Sequence, residues 1–353
     1  MQAEHGGEYP VPITISDVAQ LAGVSIKTVS RVINKEPNVR AKTRDKVAAV
    51  IRETGYEPNP SARGLASRRS NLIALFYDDL MAESTYVVNV QRGLLQCCRS
   101  SGYELLVHPL KYHEKGIRNI PEEITRHSRQ TRIDGVILTP PLCDLQVVIR
   151  TLEKLNLPFV RLSPGQYESG SMCVHTNDRV AARSVTEHLL QLGHRQVALI
   201  AGHSGHKAVK LRERGFREAM EAAGLTVDEH WVLQGESLFE PAYNSALKLL
   251  GEPHRPTAIF ALTDDMAAGV ISAAHELGIA VPEQLSVAGF DDAQIAKQLW
   301  PTLTTVRQPI QEMAEAATNL LLDQLHGRNN PVREIAMDTQ LIMRNSTGPA
   351  MKN

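Results

Sequence analysis

The 353-residue sequence predicts a small all-α domain at the N-terminus, followed by a larger α/β core. Residues 13–70 show helical spacing of apolar positions and hold eleven Lys or Arg against five Asp or Glu. From residue 71 onward, short apolar runs alternate with amphipathic segments, the pattern of a parallel sheet covered by helices. One hydrophobic core seldom organises a chain of this length, so more than one domain is expected.

Charge is distributed unevenly along the chain. Outside residues 13–70 there are 27 basic and 34 acidic residues, although the net charge of the whole chain is only -1. A basic segment on an acidic remainder predicts nucleic-acid binding at the N-terminal end, the alternative being a solvated helix face. No apolar run is long enough to span a bilayer, and residues 1–12 have the composition of a disordered tail rather than of a secretory signal. A cytoplasmic location without membrane contact is therefore expected.

The cysteines and histidines lack the spacing of a metal site, so neither a metal nor a cofactor nor a disulfide is expected. The four cysteines are Cys97, Cys98, Cys143 and Cys173, of which the adjacent pair favours a buried helix face. No nucleophile motif or phosphate-binding glycine loop points to an enzyme. The segment GHSGH at residues 202–206 lacks the last glycine of a serine-hydrolase motif, and His203 and His206 are expected in a solvated loop bordering a cleft.

Residues 14–33 predict two short helices joined by a tight turn. Thr14 and Asp17 have the spacing of a capping box, and Gly23 supplies the positive φ of the turn. Ser25 is expected to cap the second helix. A third helix is predicted from about residue 42 to residue 54. Three such helices predict a helix-turn-helix domain over residues 13–58.

The polar face of the second helix carries the side chains needed to read the major groove. Lys27 can donate to guanine, Ile26 can pack on a thymine methyl group, and Arg31 can reach a base or a phosphate. The residues predicted to contact phosphate oxygens are Thr14, Ser25, Thr28, Ser30, Asn34 and Tyr56. The alternative is a three-helix bundle that binds no nucleic acid.

The segments ISDVAQLAGVSIKTVSRVIN and VRAKTRDKVAAVIRETGYEPN resemble the DNA-binding domain of the lactose/galactose repressor (LacI/GalR) family, and the similarity extends across nearly the whole chain. The resemblance implies a homodimer on a pseudo-palindromic double-stranded operator, with Ile26, Lys27 and Arg31 at the base-reading positions. Arg40 stands where the family often has a serine that caps the third helix, so a phosphate contact there is altered.

The segment PSARGLASRRSN resembles the hinge of the same family, assigned to residues 59–70. The resemblance implies a short helix that forms on the operator, with Leu65 inserted into the minor groove. Arg63 supplies charge for the DNA, and Gly64 weakens the helix in the absence of DNA. The alternative is a plain flexible linker.

The remaining chain, residues 71–346, predicts an α/β core, followed by a tail at 347–353. The predicted strands are residues 72–77, 103–110, 135–140, 159–163, 196–202, 258–262 and 285–290. The motifs DGVIL, RERGFREAM, TDDMAAG and SVAGFDD resemble the type I periplasmic sugar-binding fold. This resemblance implies two lobes, the first at about 71–170 and 301–332 and the second at about 171–300 and 333–346.

Ligand sites in such sheets lie at the carboxyl ends of the strands, so polar residues there are candidates. The predicted ligand-binding residues are Asp78, Asp79, Arg212, Phe239, Thr263, Asp291 and Gln308. Arg212 and Asp291 match the effector contacts of the family. Ser237 stands where relatives often have a stacking aromatic, a role that Phe239 is expected to take, and Thr263 replaces a frequent asparagine. Acidic side chains with few basic ones favour a neutral sugar over a phosphate or carboxylate.

These features together predict a sequence-specific transcriptional regulator, most simply a repressor whose operator affinity is controlled allosterically by a small ligand, with a sugar as the favoured effector. One alternative is a regulator for which a purine or another metabolite is the co-repressor. An alternative of another class is a solute-binding protein without DNA function. Dependence of DNA binding on salt separates these classes.

Overall fold

A computed structural model describes residues 13–33, 36, 38–56, 70–82, 84–111, 119–166 and 170–351. The chain divides into two compact units, Met1–Ser70 and Asn71–Asn353. The predictions for the tail at residues 1–12, for Asn34 and for the hinge residues Arg63 and Leu65 lie outside the described residues.

The N-terminal unit, the headpiece, consists of the three predicted helices around a small apolar core. The helices are α1 (Ile15–Ala22), α2 (Ile26–Ile33) and α3 (Ala41–Thr54). The core residues are Val18, Ala19, Ala22, Val29, Val32, Val47 and Tyr56. They come from all three helices, so each helix buries one apolar stripe against the other two.

The ends of α1 and α2 confirm the predicted capping. The Thr14 backbone N–H donates to Asp17 Oδ2 at 2.8 Å, and the Asp17 N–H donates back to Thr14 Oγ1 at 3.3 Å. Gly23 ends α1 with a φ of 61°, a conformation that costs glycine little. Ser25 Oγ accepts the Thr28 N–H at 3.2 Å. Arg40 makes no side-chain hydrogen bond to the start of α3, which is therefore uncapped by a side chain.

The C-terminal unit, the core, holds two parallel sheets. The first sheet has six strands: β1 (Leu72–Asp78), β2 (Glu104–Leu110), β3 (Gly135–Leu138), β4 (Phe159–Leu162), β5 (Cys173–Thr176) and β11 (Glu334–Met337). The second sheet has four strands: β6 (Val197–Ala201), β7 (Val232–Gln234), β8 (Ala258–Ala261) and β9 (Ser286–Ala288). The strand order is β11-β5-β4-β3-β1-β2 in the first sheet and β7-β6-β8-β9 in the second. A short antiparallel pair joins β10 (Thr305–Arg307) to β12 (Gln340–Ile342).

Helices cover both sheets and complete the two lobes. The first lobe carries α4 (Thr85–Ser100), α5 (Ile120–Thr131), α6 (Gln146–Lys154) and α12 (Ile310–Leu325); the second carries α7 (Asp178–Gln191), α8 (Lys207–Ala222), α9 (Phe239–Leu250), α10 (Asp264–Glu276) and α11 (Gln294–Gln298). Strand β1 shows how the first sheet is built. Its residues Ile73 and Leu75 pack in one apolar cluster with α4 and α12, while Ala74 and Phe76 pack in another with α5 and α6. Both faces of the strand are buried, which accounts for its continuous apolar run.

The crossovers between lobes lie later in the chain than predicted. Cys173–Thr176 pairs in parallel with β4 and β11 of the first sheet, so the predicted crossover near residue 171 is wrong. Arg307 is bridged to Asp291 of the second lobe, so the chain returns to the first lobe only after residue 307, not near 300. Strands β11 and β12 belong to different sheets, so the third crossover follows Met337, not residue 332. These short strands contain both apolar and polar residues, so the sequence shows no continuous apolar run that would predict them.

Helices α7 and α8 pack against each other most closely at Gly215. A Cβ atom at Gly215 would lie 2.1 Å from the Arg179 carbonyl oxygen and 3.0 Å from the Arg183 backbone nitrogen. Because both neighbours are helix backbone, neither can move without displacing α7. Glycine is therefore required here by packing.

We expect Gly215→Ala to destabilise the core by about 1–3 kcal/mol, because the added methyl group overpacks the interface of α7 and α8. Urea unfolding of the full chain, followed by the fluorescence of Trp231 and Trp300, measures the change. Glu221→Ala, at an exposed position of α8, is the matched control and should alter stability by no more than about 0.5 kcal/mol. Equal midpoints for the two variants would contradict the close contact.

Candidate nucleic-acid interface and ligand pocket

Helix α2 presents the predicted base-reading residues outward. Val29 and Val32 face the headpiece core, whereas Ile26 is 50% exposed and Lys27 is exposed. The Arg31 side chain is 43% exposed and lies 3.5 Å from the carboxylate of Glu36. An exposed pair of this kind is weak, so the guanidinium can be released to another anion at little cost. The outward face of α2 therefore carries one apolar side chain, Ile26, and two cationic side chains, Lys27 and Arg31.

The predicted phosphate-binding residues fall into two groups. Thr14 and Ser25 lie exposed at the starts of α1 and α2, where backbone N–H groups favour a negative charge. Thr28 and Ser30 lie half-buried on α2, and the Thr28 hydroxyl is 2.9 Å from Ser25 Oγ. Tyr56 is only 8% exposed and belongs to the headpiece core. The Tyr56 ring therefore has a packing role in the headpiece core, and this role does not depend on what the Tyr56 hydroxyl contacts.

A cavity of about 50 Å³ lies between the two lobes of the core. The first lobe contributes Met81, Tyr86, Val87, Pro140 and Ser163, and the second contributes His206, Ala208, Val209, Arg212, Ser237, Thr263 and Asp291. Polar groups line one part of the wall and small apolar side chains the other, the usual make-up of a small-molecule site. Both lobes contribute to this wall, so a ligand bound there contacts the two lobes at once.

Three of the predicted ligand-binding residues meet at this cavity, and four do not line it. Arg212, Thr263 and Asp291 come together there, and Gln308 is buried behind Asp291. The Asp78 carboxylate accepts the Leu80 N–H at 3.4 Å in the turn after β1, so Asp78 and its neighbour Asp79 shape that turn.

Phe239 is likewise absent from the cavity wall. It begins α9, is 44% exposed and stacks on Tyr243 with the ring centroids 6.2 Å apart. The expectation that Phe239 supplies the missing stacking ring is wrong, because the start of α9 turns its side chain to the surface.

Four polar residues that the sequence did not assign to the site line the cavity. The Tyr86 hydroxyl lies 2.9 Å from Ser163 Oγ, and burial raises the pKa of Tyr86 well above its usual value, so the phenol is neutral. His206 is 8% exposed, so it belongs to the wall and not to a solvated loop as predicted. Ser237 Oγ accepts the His203 N–H at 3.1 Å. The signal available for Tyr86 was its place in the first turn of the helix after β1, facing the carboxyl ends of the strands.

Arg212 is held on several sides. Its Nε donates to Asp178 Oδ1 at 2.6 Å, one terminal nitrogen donates to the Leu262 carbonyl at 2.7 Å, and the same nitrogen lies 3.6 Å from Asp291 Oδ1. The guanidinium carbon also sits 3.8 Å from the centre of the Phe290 ring. A planar cation fixed in this way can offer hydrogen bonds to a ligand without first paying the entropy of ordering.

Carboxyl groups surround this arginine. Burial raises the pKa of Asp291 to about 7, although Arg212 and the Gln308 amide both favour the charged form. Burial, together with neighbouring Asp291, also raises the pKa of Asp264 well above its usual value. Asp291 has a φ of 121°, in a region that non-glycine residues rarely adopt. With one cation among several acids, the pocket carries no excess positive charge for an anionic ligand.

Two features are absent from the described ranges. No helix there is long and apolar enough to cross a membrane. No group of three His, Cys, Asp or Glu side chains in those ranges could hold a metal ion.

The fold and these two sites define a class of protein: a DNA-binding regulator with a periplasmic-binding-protein-like ligand domain. Residues 14–59 match the model described as bacterial regulatory proteins, lacI family, and residues 186–347 match the periplasmic binding protein-like domain. The HTH-type transcriptional regulator DegA of Bacillus subtilis is 33% identical over 95% of this chain and 98% of its own length. The HTH-type transcriptional repressor PurR of Photobacterium profundum is 30% identical over 94% of this chain and 98% of its own length.

Two solved structures agree with these relatives. The lac repressor dimer bound to operator and the anti-inducer ONPF superposes with a TM-score of 0.82, at 27% identity, over 96% of this chain and all of that one. A complex of the transcriptional regulator CelR with cellobiose gives a TM-score of 0.70, at 28% identity, over 95% of this chain and 99% of that one. The chain belongs to the lacI family of bacterial regulatory proteins and is a DNA-binding transcriptional regulator.

The raised pKa of Asp291 predicts a component of stability that depends on pH. Because its folded pKa of about 7 exceeds the ordinary 3.8, this component is fully present below the ordinary pKa and is lost progressively as the pH rises from there to about 7. We expect Asp291→Asn to match the wild type at about pH 3 and to be more stable above about pH 8, by at most about 4 kcal/mol.

Denaturation of both proteins at a series of pH values measures this difference. Asp292→Asn is the control of opposite sign: burial disfavours the Asp292 carboxylate, but hydrogen bonds from Arg344 and Arg307 outweigh it and hold its pKa below the usual value. That variant should lose stability throughout the range above about pH 5. A constant difference between Asp291→Asn and wild type at all pH values would show that Asp291 titrates normally.

Proposed function

We propose that this regulator is a repressor that binds a pseudo-palindromic operator as a homodimer and changes its operator affinity when a neutral small molecule, a sugar, occupies the cavity between the lobes. The observation that carries this proposal is the combination, in one chain, of an outward-facing polar helix α2 and a cavity between the two lobes that is lined by Arg212 and other polar side chains. Since DNA is its target, its place of action is the bacterial cytoplasm, and its role is regulation rather than catalysis.

The geometry of α2 supports base reading by Ile26, Lys27 and Arg31. Val29 and Val32 fix the rotation of the helix about its axis by packing into the core. That rotation leaves positions 26, 27 and 31 on the outside, where a helix laid in the major groove meets base edges. The hydroxyls of Thr14, Ser25, Thr28 and Ser30, with Asn34, are assigned to phosphates.

The chemistry of the cavity supports a neutral, hydroxyl-rich effector. Arg212 and Asp291 offer donors and an acceptor side by side, an arrangement that suits vicinal hydroxyls. Ser163, Ser237 and Thr263 add hydroxyl groups to the wall. CelR was solved with cellobiose, which supports a sugar for this chain as well. Tyr86 and His206 place two rings in the same wall, which favours a planar heterocycle such as a purine as the second candidate.

The cavity is lined by both lobes, so a ligand bound there can couple to their arrangement. A ligand that binds only one arrangement of the lobes shifts the population toward that arrangement, and a differential affinity worth about 1–3 kcal/mol gives a useful response. In the proposed dimer, that shift changes how the two hinges, with Arg63 and Leu65, meet the operator. The same cavity and lobes can serve induction or co-repression. The ligand lowers operator affinity if the arrangement of the lobes that it favours binds DNA more weakly, and raises operator affinity if that arrangement binds DNA more tightly.

We expect Lys27→Ala to weaken binding to the preferred duplex by about 1–3 kcal/mol while changing binding to a scrambled duplex much less. The preferred duplex is first obtained by selection from a random pool with the wild-type protein, and fluorescence anisotropy then gives both affinities. Lys42→Ala, which removes the same charge at an exposed position of α3, should weaken both duplexes equally. Equal losses on both duplexes for Lys27→Ala would refute base reading by this residue.

For the ligand, we expect neutral sugars to raise the melting temperature of the wild type, because a molecule that binds only the folded state stabilises it. The probes are cellobiose, D-ribose, D-glucose, D-glucose 6-phosphate and hypoxanthine. The shift should vanish in Arg212→Lys, which keeps the charge but loses the planar fork, and persist in Arg214→Lys, whose side chain is 65% exposed on the same helix. A shift with the phosphorylated sugar alone would overturn the neutral-ligand assignment, and one with hypoxanthine alone would favour the purine candidate.

A further inference from the structure

Thr85 and Asp265 form a direct contact between the two lobes. Thr85 begins α4 in the first lobe, and Asp265 lies in the first turn of α10 in the second. The Thr85 hydroxyl donates to Asp265 Oδ1 at 3.2 Å, and the Thr85 backbone N–H donates to Asp265 Oδ2 at 3.4 Å. Both hydrogen bonds are long, so a small further separation of the lobes breaks them.

The lobes also meet at Gly165, in the turn after β4, which contacts the first turn of α8. A Cβ atom at Gly165 would lie 2.2 Å from Lys207 Cβ, 2.4 Å from the Lys207 carbonyl carbon and 2.7 Å from the Ala208 backbone nitrogen. Carbon atoms in contact are normally about 3.5–4.0 Å apart, so only a glycine fits between the turn and the helix. The φ of Gly165 is not positive, so its backbone conformation is open to other residues. Glycine is required here by the approach of the second lobe.

The turn at Gly165 is fixed to the first lobe by a buried ion pair. Asp144 Oδ2 accepts the Gly165 N–H at 3.0 Å, and Arg161 Nη2 donates to the Gln166 carbonyl at 2.9 Å. The same Arg161 nitrogen lies 3.0 Å from Asp144 Oδ1, and both side chains are at most 2% exposed. Moving the turn would take a partner from a buried charge, which is costly.

The other side of the contact is held as firmly. Val209, two residues after Lys207, packs in the apolar cluster of the second lobe. The Lys207 ammonium group also donates to Gln166 Oε1 at 2.7 Å, across the lobes. A side chain added at position 165 is therefore relieved by separation of the lobes rather than by movement of either segment.

We propose that Gly165 sets how closely the lobes approach, and that the hydrogen bonds between Thr85 and Asp265 form only in the arrangement that Gly165 permits. The lobes are connected by three crossover segments, so each moves as a body and a change at one contact is passed on to the other. Both contacts are made by protein groups alone. They therefore favour this arrangement of the lobes in the absence of ligand.

The same contact limits the ligand. Ser163, two residues before Gly165, and Ala208, one residue after Lys207, line the cavity from opposite lobes. The distance between these two walls is therefore set by the contact at position 165, which makes Gly165 a specificity-determining residue for the size of the effector. This step rests on the proposed function only in that the occupant of the cavity is taken to be the effector.

A double-mutant cycle on the full-length protein, without ligand or DNA, tests the link between the two contacts. The variants are Gly165→Ala, Thr85→Val and their combination, and urea unfolding gives a midpoint for each. In the wild-type background we expect Thr85→Val to lower the midpoint, because it removes the hydroxyl donor to Asp265. In the Gly165→Ala background the lobes are already apart, so the midpoint should fall less than about half as far.

Gly251→Ala is the matched control. Gly251 has a φ of -78°, and an added Cβ atom there would lie 3.3 Å from the nearest atom, the Leu247 carbonyl oxygen. In this background Thr85→Val should lower the midpoint as far as in the wild type. Equal reductions in the wild-type and Gly165→Ala backgrounds would overturn the proposal, since independent contacts have additive effects. A Thr85→Val protein with the wild-type midpoint would also overturn it.

Hydrogen exchange gives a second measurement, which does not depend on the folding of Gly165→Ala. Mass spectrometry compares amide exchange over residues 203–209, on the opposite lobe from Thr85, in the wild type and in Thr85→Val. We expect exchange there to be about two- to tenfold faster in the variant, as the loss of one hydrogen bond between the lobes implies, and unchanged in β9. Unchanged exchange over residues 203–209 would refute the proposal. Neither measurement uses a sugar, so both stand even if every sugar in the ligand screen fails to bind.

Discussion

The second lobe depends on the burial of the positive charge of Arg212. Arg212 is 6% exposed, and a guanidinium removed from water is tolerated only when its hydrogen bonds and its charge are matched by the protein. The matching groups are Asp178 at the start of α7, the Leu262 carbonyl after β8 and Asp291 after β9. Neighbouring strands β8 and β9 of the second sheet bring Leu262 and Asp291 to this place, and the crossover after β5 of the first sheet brings Asp178. The buried arginine and the fold therefore depend on each other. Removing any one partner leaves a buried charge short of compensation.

The headpiece was largely predictable because its signals are local. The Thr14–Asp17 capping box and Gly23 operate within a single helix turn, and the structure shows them as the spacing requires. The core was predictable in its class but not in its boundaries. The residues of α12 at 310, 313, 317 and 321 follow helical spacing, so this helix carried a usable signal that the prediction left out. Strands β5, β10 and β12 have three or four residues each and depend on their sheet partners, which no local pattern reveals.

The same distinction applies to the ligand pocket. Arg212 and Asp291 were assigned from their resemblance to a family motif, and the structure brings them together. Ser163 and His206 lie in turns with ordinary local sequences, and they become wall residues only because the two lobes face each other. Phe239 was misplaced for the converse reason: its residue type suited the role, but the rotation of α9 carries it to the surface. Side-chain type suggests what a residue can do, and tertiary geometry decides whether it does so.

The position of the cavity between the lobes has a kinetic consequence. A cleft walled by both lobes admits solute most readily during excursions in which the lobes part, so association is gated by a motion of the protein itself. In rapid mixing, the observed rate of binding should then level off as solute concentration increases, at the frequency of those excursions. Departure is gated in the same way, which lengthens residence on the protein without any gain in contacts.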